Sequence, residues 1–283
     1  MTDQLSHQHE EEIPVDMLQS KSRPSFSWQG ILSLLMFFYM YLPILVLTFY
    51  SFNDSAYSAS WQGFTFKWYI KLFDDPRVLN SLGNSLKVAG ASVGISAVLG
   101  TLMAVGLARY QFMGKSLYRG ISYLPLIIPD IAIAVSTLVF LAVIGTPLSV
   151  WTIVAAHVVF CLAYIALAVS SRISALDPHL EEAALDLGAT PVQAFIQILL
   201  PELMPAIIAG CLISFVLSMD DFLISSFTAG TGATTLPMEI FSRIRTGVKP
   251  DINALSVMLI VGSGVLAFIA EWLRYQGEKK RVE

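Results

Sequence analysis

Six long apolar stretches decide what this 283-residue chain can fold into. A helix needs about 20 mostly apolar residues to cross the hydrocarbon core of a bilayer, and each stretch reaches that length. They are residues 29–51, 84–108, 120–144, 150–171, 203–228 and 252–274. A segment inside a membrane must satisfy its own backbone hydrogen bonds, which a helix does. The sequence therefore predicts an all-α, polytopic membrane protein with six transmembrane helices.

Composition favours the same class. Hydrophobic residues make up 55% of the chain and charged residues only 13%, against about 25% charged residues in soluble domains. The formal net charge is −4 and no basic cluster with interleaved aromatic residues is present, so we expect no nucleic-acid partner. Cys161 and Cys211 each lie inside an apolar stretch, which indicates packing residues and not a disulfide or a metal pair.

No motif for catalysis or nucleotide binding is found. Gly114, Lys115 and Ser116 imitate the end of a phosphate-binding loop, but Arg109 stands where the first glycine belongs. An apolar stretch, and not a strand, precedes this segment. We predict no catalytic residue, no metal site and no nucleotide site in this chain.

The distribution of Lys and Arg predicts the orientation, because cytoplasmic segments are enriched in them. An even number of spans places both termini on one side. If that side is the cytoplasm, ten cations lie inside and seven outside. The inner ones are Lys21, Arg23, Arg109, Lys115, Arg119, Arg172, Arg274, Lys279, Lys280 and Arg281; the outer ones are Lys67, Lys71, Arg77, Lys87, Arg243, Arg245 and Lys249. We predict cytoplasmic N- and C-termini, which also places residues 172–202 in the cytoplasm.

The two ends of the chain are predicted to be tails. Residues 1–27 are polar, include Glu10, Glu11 and Glu12, and have no apolar core next to a cleavage site. They do not form a signal peptide and are expected to be a disordered cytoplasmic tail. Residues 28–275 are the predicted transmembrane domain, and residues 276–283 a short cytoplasmic tail.

The most informative polar segment lies between the fourth and fifth apolar stretches. Asp177 can cap a helix over residues 178–187, since the missing N–H of Pro178 does no harm in a first turn. Gly188 stands where a left-handed residue would end this helix. The helix has one apolar stripe at helical spacing, formed by Leu180, Ala183, Ala184 and Leu187.

A second short helix is predicted to follow. Thr190 and Gln193 form a capping box at its start, and Pro201 is expected to close it. This pattern alone leaves two interpretations open, a helical surface loop or a pair of short helices that docks on another protein.

The spacing of these residues resembles the EAA loop of ABC-importer permeases. That pattern has Glu-Ala-Ala, three residues, Gly, nine residues, Ile, one residue and Leu-Pro. Here the positions are filled by Glu182, Ala183, Ala184, Gly188, Ile198, Leu200 and Pro201. The resemblance implies a type I ABC importer permease fold in which residues 172–202 form a cytoplasmic coupling loop. It also implies that the loop sits in a cleft of a separate ATPase subunit, and that partner subunits bind ATP and Mg²⁺.

Three carboxylates fall inside the apolar stretches, where a charge is costly unless it faces a cavity or a partner. Asp130 follows Pro129 in the third stretch, and Asp220 and Asp221 lie toward the outer end of the fifth. Pro125 and Pro129 are expected to bend the third helix and to open a cavity beside Asp130.

We predict that Asp130, Asp220 and Asp221, together with Phe222 and Phe227, line a path for a cation. An ammonium group that loses its water needs carboxylates or aromatic faces in exchange. Neighbouring residues of a helix are about 100° apart, so at most one of Asp220 and Asp221 is expected to point straight into the path.

Other interpretations of these polar residues stay open. Asp220 and Asp221 could instead cap a broken helix or pair with an outer-loop cation such as Arg243. In a secondary transporter the same aspartates would be ion-coupling sites. His157, in the fourth stretch, is interpreted as a hydrogen bonder between helices.

Three further stretches resemble the second permease subunit of putrescine/spermidine ABC importers, most closely the putrescine-type member. They are residues 218–227 (SMDDFLISSF), 232–237 (GATTLP) and 250–255 (PDINAL). The resemblance implies an inner-membrane permease that works with a second homologous permease subunit, two copies of an ATP-binding subunit and a periplasmic polyamine-binding protein. Permeases for other organic cations share parts of the pattern, so that alternative also stays open.

Overall fold

The computed structural model describes residues 28–55, 60–177, 179–247 and 249–279. The predicted N-terminal tail, residues 1–27, lies outside this part, as do Pro178 and residues 280–283. Residues 276–279, assigned above to a C-terminal tail, continue the last helix. The chain divides into two units, residues 1–46 and 47–283.

The described residues form twelve α-helices. They are α1 (Trp28–Ser51), α2 (Lys67–Phe73), α3 (Pro76–Arg109), α4 (Lys115–Tyr123), α5 (Asp130–Val143), α6 (Val150–Ala175), α7 (Leu180–Asp186), α8 (Pro191–Ala194), α9 (Leu200–Asp220), α10 (Leu223–Thr228), α11 (Leu236–Arg245) and α12 (Pro250–Lys279). In the first unit the described residues, 28–46, are the first part of α1, and their large apolar side chains are exposed.

Within the described residues, five helical runs are long and apolar enough to cross a membrane, and a bent pair of helices would make a sixth. The five are α1, α3, α6, the run Pro191–Asp220 and the part Pro250–Ile269 of α12. The predicted all-α membrane fold is confirmed, with the bent pair in the place of the third span.

The third span is broken. The run Lys115–Leu126, which ends in a 3₁₀ turn, meets α5 at an angle of 108°. The predicted span over residues 120–144 is broken within its length, and the bend expected from Pro125 and Pro129 is confirmed. Pro125 lies within the 3₁₀ turn, and Pro129, which has no N–H to donate, is extended with a ψ of 138°, so the chain leaves the helix before α5. Asp130 then begins α5.

The fifth span differs from the prediction at both ends. α8 continues through a π-helical turn, Phe195–Leu199, into α9, so Pro201 does not close a second short helix. Pro201 is tolerated because it lies in the first turn of α9, directly after the wider π turn. At the other end the helix stops at Asp220, and Asp221 is extended with a ψ of 123°. The span therefore does not run on as one helix to residue 228.

Small residues let α3, α6 and α9 pack closely. A Cβ added to Gly100 of α3 would lie 3.0 Å from the carbonyl oxygen of Leu162, and one added to Gly210 of α9 would lie 3.0 Å from the Cα of Ile165. Both neighbours belong to α6, so its backbone is in near contact with two other helices. Such close crossings are typical of membrane helices. They hold α6 and α9, which line the cavity described below, against each other.

An ion cluster joins α11 to the starts of α3 and α12. Arg243 lies 2.6 Å from a carboxylate oxygen of Asp75, 2.8 Å from Glu239 and 3.4 Å from Asp251. Partial burial raises the pKa of the Asp75 carboxyl, but the hydrogen bond from Arg243 and its own backbone bonds outweigh burial and leave that pKa below its usual range. Asp75 also caps α3 by accepting a hydrogen bond from the N–H of Arg77. The guanidinium of Arg243 is thus fully engaged by these three carboxylates.

Candidate functional site

The aspartates of the spans meet at one cavity of about 370 Å³. It lies between the bend that joins α4 to α5, the middle of α6, and the break between α9 and α10. Four of the five residues predicted for the cation path, Asp130, Asp220, Asp221 and Phe222, line this cavity. The fifth, Phe227, packs against the core cluster that includes Phe160. Both Asp220 and Asp221 line the cavity, and α9 ends between them.

Asp130 and Asp220 present exposed carboxylates to the cavity. Among the residues that the structure describes, no hydrogen bond or ion pair reaches either side chain. Asp130 lies in the first turn of α5, where the helix dipole stabilises a negative charge. Asp220 is the last residue of α9, where the dipole disfavours one. A carboxylate left in this position at the end of an apolar helix favours a cation beside it.

Asp221 is held by the protein itself. Its carboxylate accepts hydrogen bonds from the N–H groups of Ile224 at 3.2 Å and Ser225 at 2.7 Å, at the start of α10. It also lies 3.2 Å from Nε2 of His157, and its side chain is 9% exposed. Capping of a broken helix, the alternative left open above, is therefore correct for Asp221. Neither Asp220 nor Asp221 pairs with Arg243, which binds the other carboxylates named above.

His157 joins three helices. It is fully buried in α6; its Nδ1 lies 2.7 Å from Oγ of Ser218, and its Nε2 lies 3.2 Å from both Asp221 and Oγ of Ser225. A carboxylate only accepts, so we assign Nε2 as the donor to Asp221. The hydroxyl of Ser218 can then donate to a neutral Nδ1 or accept from a protonated one. The predicted hydrogen bonds between helices are confirmed.

Aromatic rings complete the cavity wall. Phe160 and Tyr164, one turn apart on α6, line it together with Phe222. The centroid of the Phe222 ring lies 4.4 Å from that of Phe241. Sequence reasoning missed Phe160 and Tyr164, because their spacing shows only that they share a helix face. Aromatic faces attract cations, so rings and carboxylates together suit an organic ammonium ion better than an anion.

The described residues contain no group of three or more His, Cys, Asp or Glu side chains that could hold a metal ion. The two cysteines, Cys161 and Cys211, are free thiols. Cys161 is buried in α6 and lies 3.8 Å from the carbonyl oxygen of Ser214.

The predicted coupling loop, residues 172–202, joins the end of α6 to the start of α9. Its first helix, α7, is shorter than the predicted 178–187, although Asp177 accepts a hydrogen bond from the N–H of His179 at 2.9 Å. Gly188 has a φ of 90° and ends the helix in the left-handed region, as predicted. The predicted capping box of Thr190 and Gln193 at the start of α8 is also confirmed.

The first half of the EAA motif presents a surface. Glu182 and Ala183 are exposed, whereas Ala184 is buried against the protein. Leu187, at the end of the same stripe, is 90% exposed. Nδ1 of His179 lies 2.9 Å from the Glu182 carboxylate, and this hydrogen bond raises the pKa of the His179 imidazole above its ordinary value.

The second half of the motif anchors the loop. Ile198 and Leu200 are half-buried and Pro201 is exposed. Between them Leu199 is fully enclosed, in a core cluster that includes Leu203 of α9 and residues of α3 and α6. The second half of the loop is therefore anchored in the helix bundle, and α7 lies at the surface.

Two ion pairs of this loop were missed by sequence reasoning. Arg109, in the last turn of α3, lies 3.0 Å from a carboxylate oxygen of Glu181. Arg172, in the last turn of α6, lies 2.9 Å from Glu202 in the first turn of α9. The sequence could have indicated these pairs, because each charged residue lies near the helix end whose dipole stabilises its charge.

Comparison with known proteins shows which family the chain belongs to. Residues 96–281 match the family described as binding-protein-dependent transport system inner membrane component. The chain belongs to this family. The permease is 44% identical over 265 residues to the putrescine transport system permease protein PotI of Escherichia coli K12. The matched region covers 90% of the permease and 93% of PotI. It is 39% identical over 233 residues to the spermidine/putrescine transport system permease protein PotC of Haemophilus influenzae, with 82% and 91% of the two chains covered.

The fold of the permease is also similar to those of solved ABC transporters. A crystal structure of a bacterial ABC transporter involved in the import of the acidic polysaccharide alginate matches with a TM-score of 0.71 and 18% identity, covering 88% of the permease and 94% of that chain. A structure of a bacterial alginate transporter in complex with a pentasaccharide-bound periplasmic protein matches with a TM-score of 0.67 and 19% identity, covering 86% and 91%. The predicted family and the ABC importer permease fold are confirmed. The permease is thus an inner-membrane transport component.

Proposed function

We propose that the permease forms the translocation path of an ATP-driven ABC importer for polyamines, putrescine and/or spermidine. The observation that carries this proposal is the pair of carboxylates Asp130 and Asp220, which no other described side chain or backbone group binds, in an aromatic-lined cavity between broken spans. Polyamines carry ammonium groups joined by short alkyl chains. The carboxylates and rings replace the water that an ammonium group loses in the path.

Asp220 makes the stronger contact with the substrate in this proposal, because its charge is disfavoured by the end of α9 and is relieved by a cation. Asp221 contributes its negative charge while it stays bound to His157 and to the start of α10. Phe222 forms part of the wall. The names of the relatives PotI and PotC, which refer to putrescine and spermidine, support this substrate class.

The coupling loop is the proposed contact with the ATPase. Its EAA residues would seat α7 in a cleft of a separate subunit; they are Glu182, Ala183, Ala184, Gly188, Ile198, Leu200 and Pro201. Exposed Ala183 and Leu187 support a docking surface, since an apolar stripe on a short helix gains by being covered. The ATPase subunits bind ATP and Mg²⁺ and carry out the hydrolysis.

The proposed assembly contains a second homologous permease subunit and two copies of the ATP-binding subunit. A periplasmic polyamine-binding protein would deliver the substrate to the outer loops. The N- and C-termini and residues 172–202 face the cytoplasm, as the excess of inner cations indicates. The contact of Arg109 with Glu181 supports this topology, because it requires the loops after α3 and after α6 to lie on one side.

Transport then follows alternating access. ATP binding closes the two ATPase subunits, α7 carries the movement into the spans, and the cavity changes the side from which it is reached. The transmembrane domain, residues 28–275, undergoes this change.

Uptake of labelled putrescine and spermidine tests the proposal. Cells with and without this chain are compared, with ATP depletion as a control. ATP-dependent uptake that disappears with the chain supports the polyamine importer and ranks the two substrates. Uptake that persists without the chain contradicts the polyamine substrate, and a panel of other organic cations then tests the alternative.

A further inference from the structure

The ion pair between Arg109 and Glu181 connects the coupling loop to a span that does not flank it. Glu181 belongs to α7, whereas Arg109 ends α3. The other ion pair between helices at this loop, Arg172 with Glu202, only closes the loop at its base. Among the ion pairs of the described residues, Arg109 is the partner that reaches α7 from outside the loop.

Both charges suit their positions. Arg109 lies in the last turn of α3 and Glu181 in the first turn of α7, where the helix dipoles favour a cation and an anion respectively. Their side chains are 27% and 22% exposed, so water screens the pair only in part. A charge contact at this depth is worth more than an exposed surface pair.

The contact between Arg109 and Glu181 is an electrostatic attraction more than a well-aligned hydrogen bond. Nε of Arg109 lies 3.0 Å from Oε2 of Glu181, yet this buried nitrogen has no hydrogen bond of good geometry within the described part of the chain. The attraction between two charges depends on their distance and not on the N–H angle, so it tolerates small rotations of the two helices against each other. It can therefore transmit a push or a pull through a change of conformation.

Side-chain packing does not fill the space around this pair. A cavity of about 610 Å³ separates α7 and α8 from the end of α3. Its apolar walls include Leu102 and Val105 of α3 and Leu185 of α7. Beside the apolar packing of Leu199 against α3 deeper in the bundle, the charged contact is thus a direct link between α7 and α3.

α3 is a suitable receiver of such a movement. It packs closely against α6 at Gly100, and Ser92 donates a hydrogen bond to the carbonyl oxygen of Val154 in the same neighbour. Since α6 carries Phe160, Tyr164 and His157, a displacement of α3 is passed to the wall of the acidic cavity.

We propose that Arg109 is a positioning residue for energy coupling, which transmits the movement of α7 to α3 through Glu181. This inference rests on the proposed function, because it assumes that an ATPase moves α7. Arg109 touches neither the substrate nor ATP in this scheme. It acts through the coupling helix.

A charge exchange tests the inference in the reconstituted complex of the permease with its partner permease, ATPase subunits and binding protein. The measured quantity is polyamine taken up per ATP hydrolysed. Arg109→Glu and Glu181→Arg should each lower this ratio by about fivefold or more, the range of typical coupling between sites. The double variant with both changes should recover most of the ratio, since it restores the pair with reversed sign. Arg119→Glu in α4 is the matched control, because no ion pair of the described residues includes Arg119.

The outcomes separate the two proposals. Wild-type complex that hydrolyses ATP without taking up polyamine contradicts the proposed function. Wild-type uptake with unchanged ratios in both single variants, or a double variant that is worse than either, overturns the role of Arg109. If the charge-reversed chains fail to assemble, Arg109→Gln and Glu181→Gln replace them. Their double variant should then lose no more than one single variant, whereas additive losses would contradict a shared contact.

Discussion

The acidic cavity and the coupling loop are both polar interruptions of an apolar chain, yet they are built in different ways. The loop is made within residues 172–202 by caps, a left-handed glycine and neighbouring charges. The cavity collects side chains from segments around residues 125–130, 160–164 and 217–224, and it exists only where two spans break. One region follows from local rules, and the other from how distant helices meet.

Removal of the free carboxylates should have the largest effect and should affect only the cavity. The double variant Asp130→Asn and Asp220→Asn is expected to reduce polyamine uptake by about 30-fold or more, since losing one partner of a close charge pair costs about 2–5 kcal/mol. Initial uptake rates in proteoliposomes measure the effect, with ATP hydrolysis followed in parallel.

Asp74→Asn provides the control, because Asp74 is an exposed carboxylate at the end of α2, away from the cavity. Normal uptake by the double variant, at normal membrane levels, would remove both aspartates from the path. It would also mean that the free carboxylates of the cavity do not give it a role in transport distinct from that of the coupling loop.

Substitution of Gly188 should damage coupling while the cavity stays intact. Its φ of 90° is left-handed, which costs a residue with a side chain about 1–2 kcal/mol. We expect Gly188→Val to displace α7 and to lower uptake per ATP hydrolysed by about fivefold or more. Gly120→Val in α4 is the control, since an added Cβ there meets nothing within 4 Å and the φ is not left-handed. Equal ratios in the two variants would contradict a coupling role for the turn at Gly188.

Replacement of His157 should lower the stability of the protein more than it lowers polyamine uptake. His157→Leu leaves the carboxylate of Asp221 and the hydroxyl of Ser218 without their ring partner. A buried polar group left unsatisfied costs about 1–3 kcal/mol, so the Tm of the purified complex should fall. Ser218→Ala, which removes one bond only, should lower the Tm less. A His157→Leu chain with an unchanged Tm but no uptake would instead indicate contact with the substrate.

A pH titration of the loop should show the smallest effect. The hydrogen bond to Glu182 raises the pKa of His179, so the bond is complete at low pH and is lost as the pH rises through that raised pKa. NMR titration of His179, assigned with a His179→Asn variant, should give a pKa above that of a free imidazole. Glu182→Gln should bring it back toward the ordinary value. A pKa that does not move would mean that the contact does not persist in solution.

These two regions also differ in how far the sequence predicted them. Gly188 and the capping box of Thr190 and Gln193 were read correctly, because each depends on residues a few positions away. Asp177 accepts a hydrogen bond from His179, but α7 begins later, at Leu180, without a side-chain cap. Pro201 was misread, since the π-helical turn before it depends on packing of Leu199 in the bundle. Local rules recognise the start of a helix better than its continuation.

In the cavity the sequence identified the acidic side chains but not their roles. The cost of a buried charge singled out Asp130, Asp220 and Asp221. The division between free Asp220 and bound Asp221 depends on the helix end between them and on His157, more than 60 positions earlier. Phe160 and Tyr164 gave no signal, because an aromatic pair on a membrane helix is equally typical of a lipid-facing or a packed surface.

The helical run from Pro191 to Asp220 is continuous. It therefore fixes how the coupling loop and Asp220 are rotated about the helix axis relative to each other. Its first residue belongs to the coupling loop and its last carries a free carboxylate into the cavity, about 45 Å further along a helix of 30 residues at 1.5 Å each. One residue inserted near Gly210 would turn Asp220 by about 100° relative to the loop, whereas four would nearly restore its direction. The number of residues between loop and cavity therefore sets the direction of Asp220 as firmly as its neighbours do.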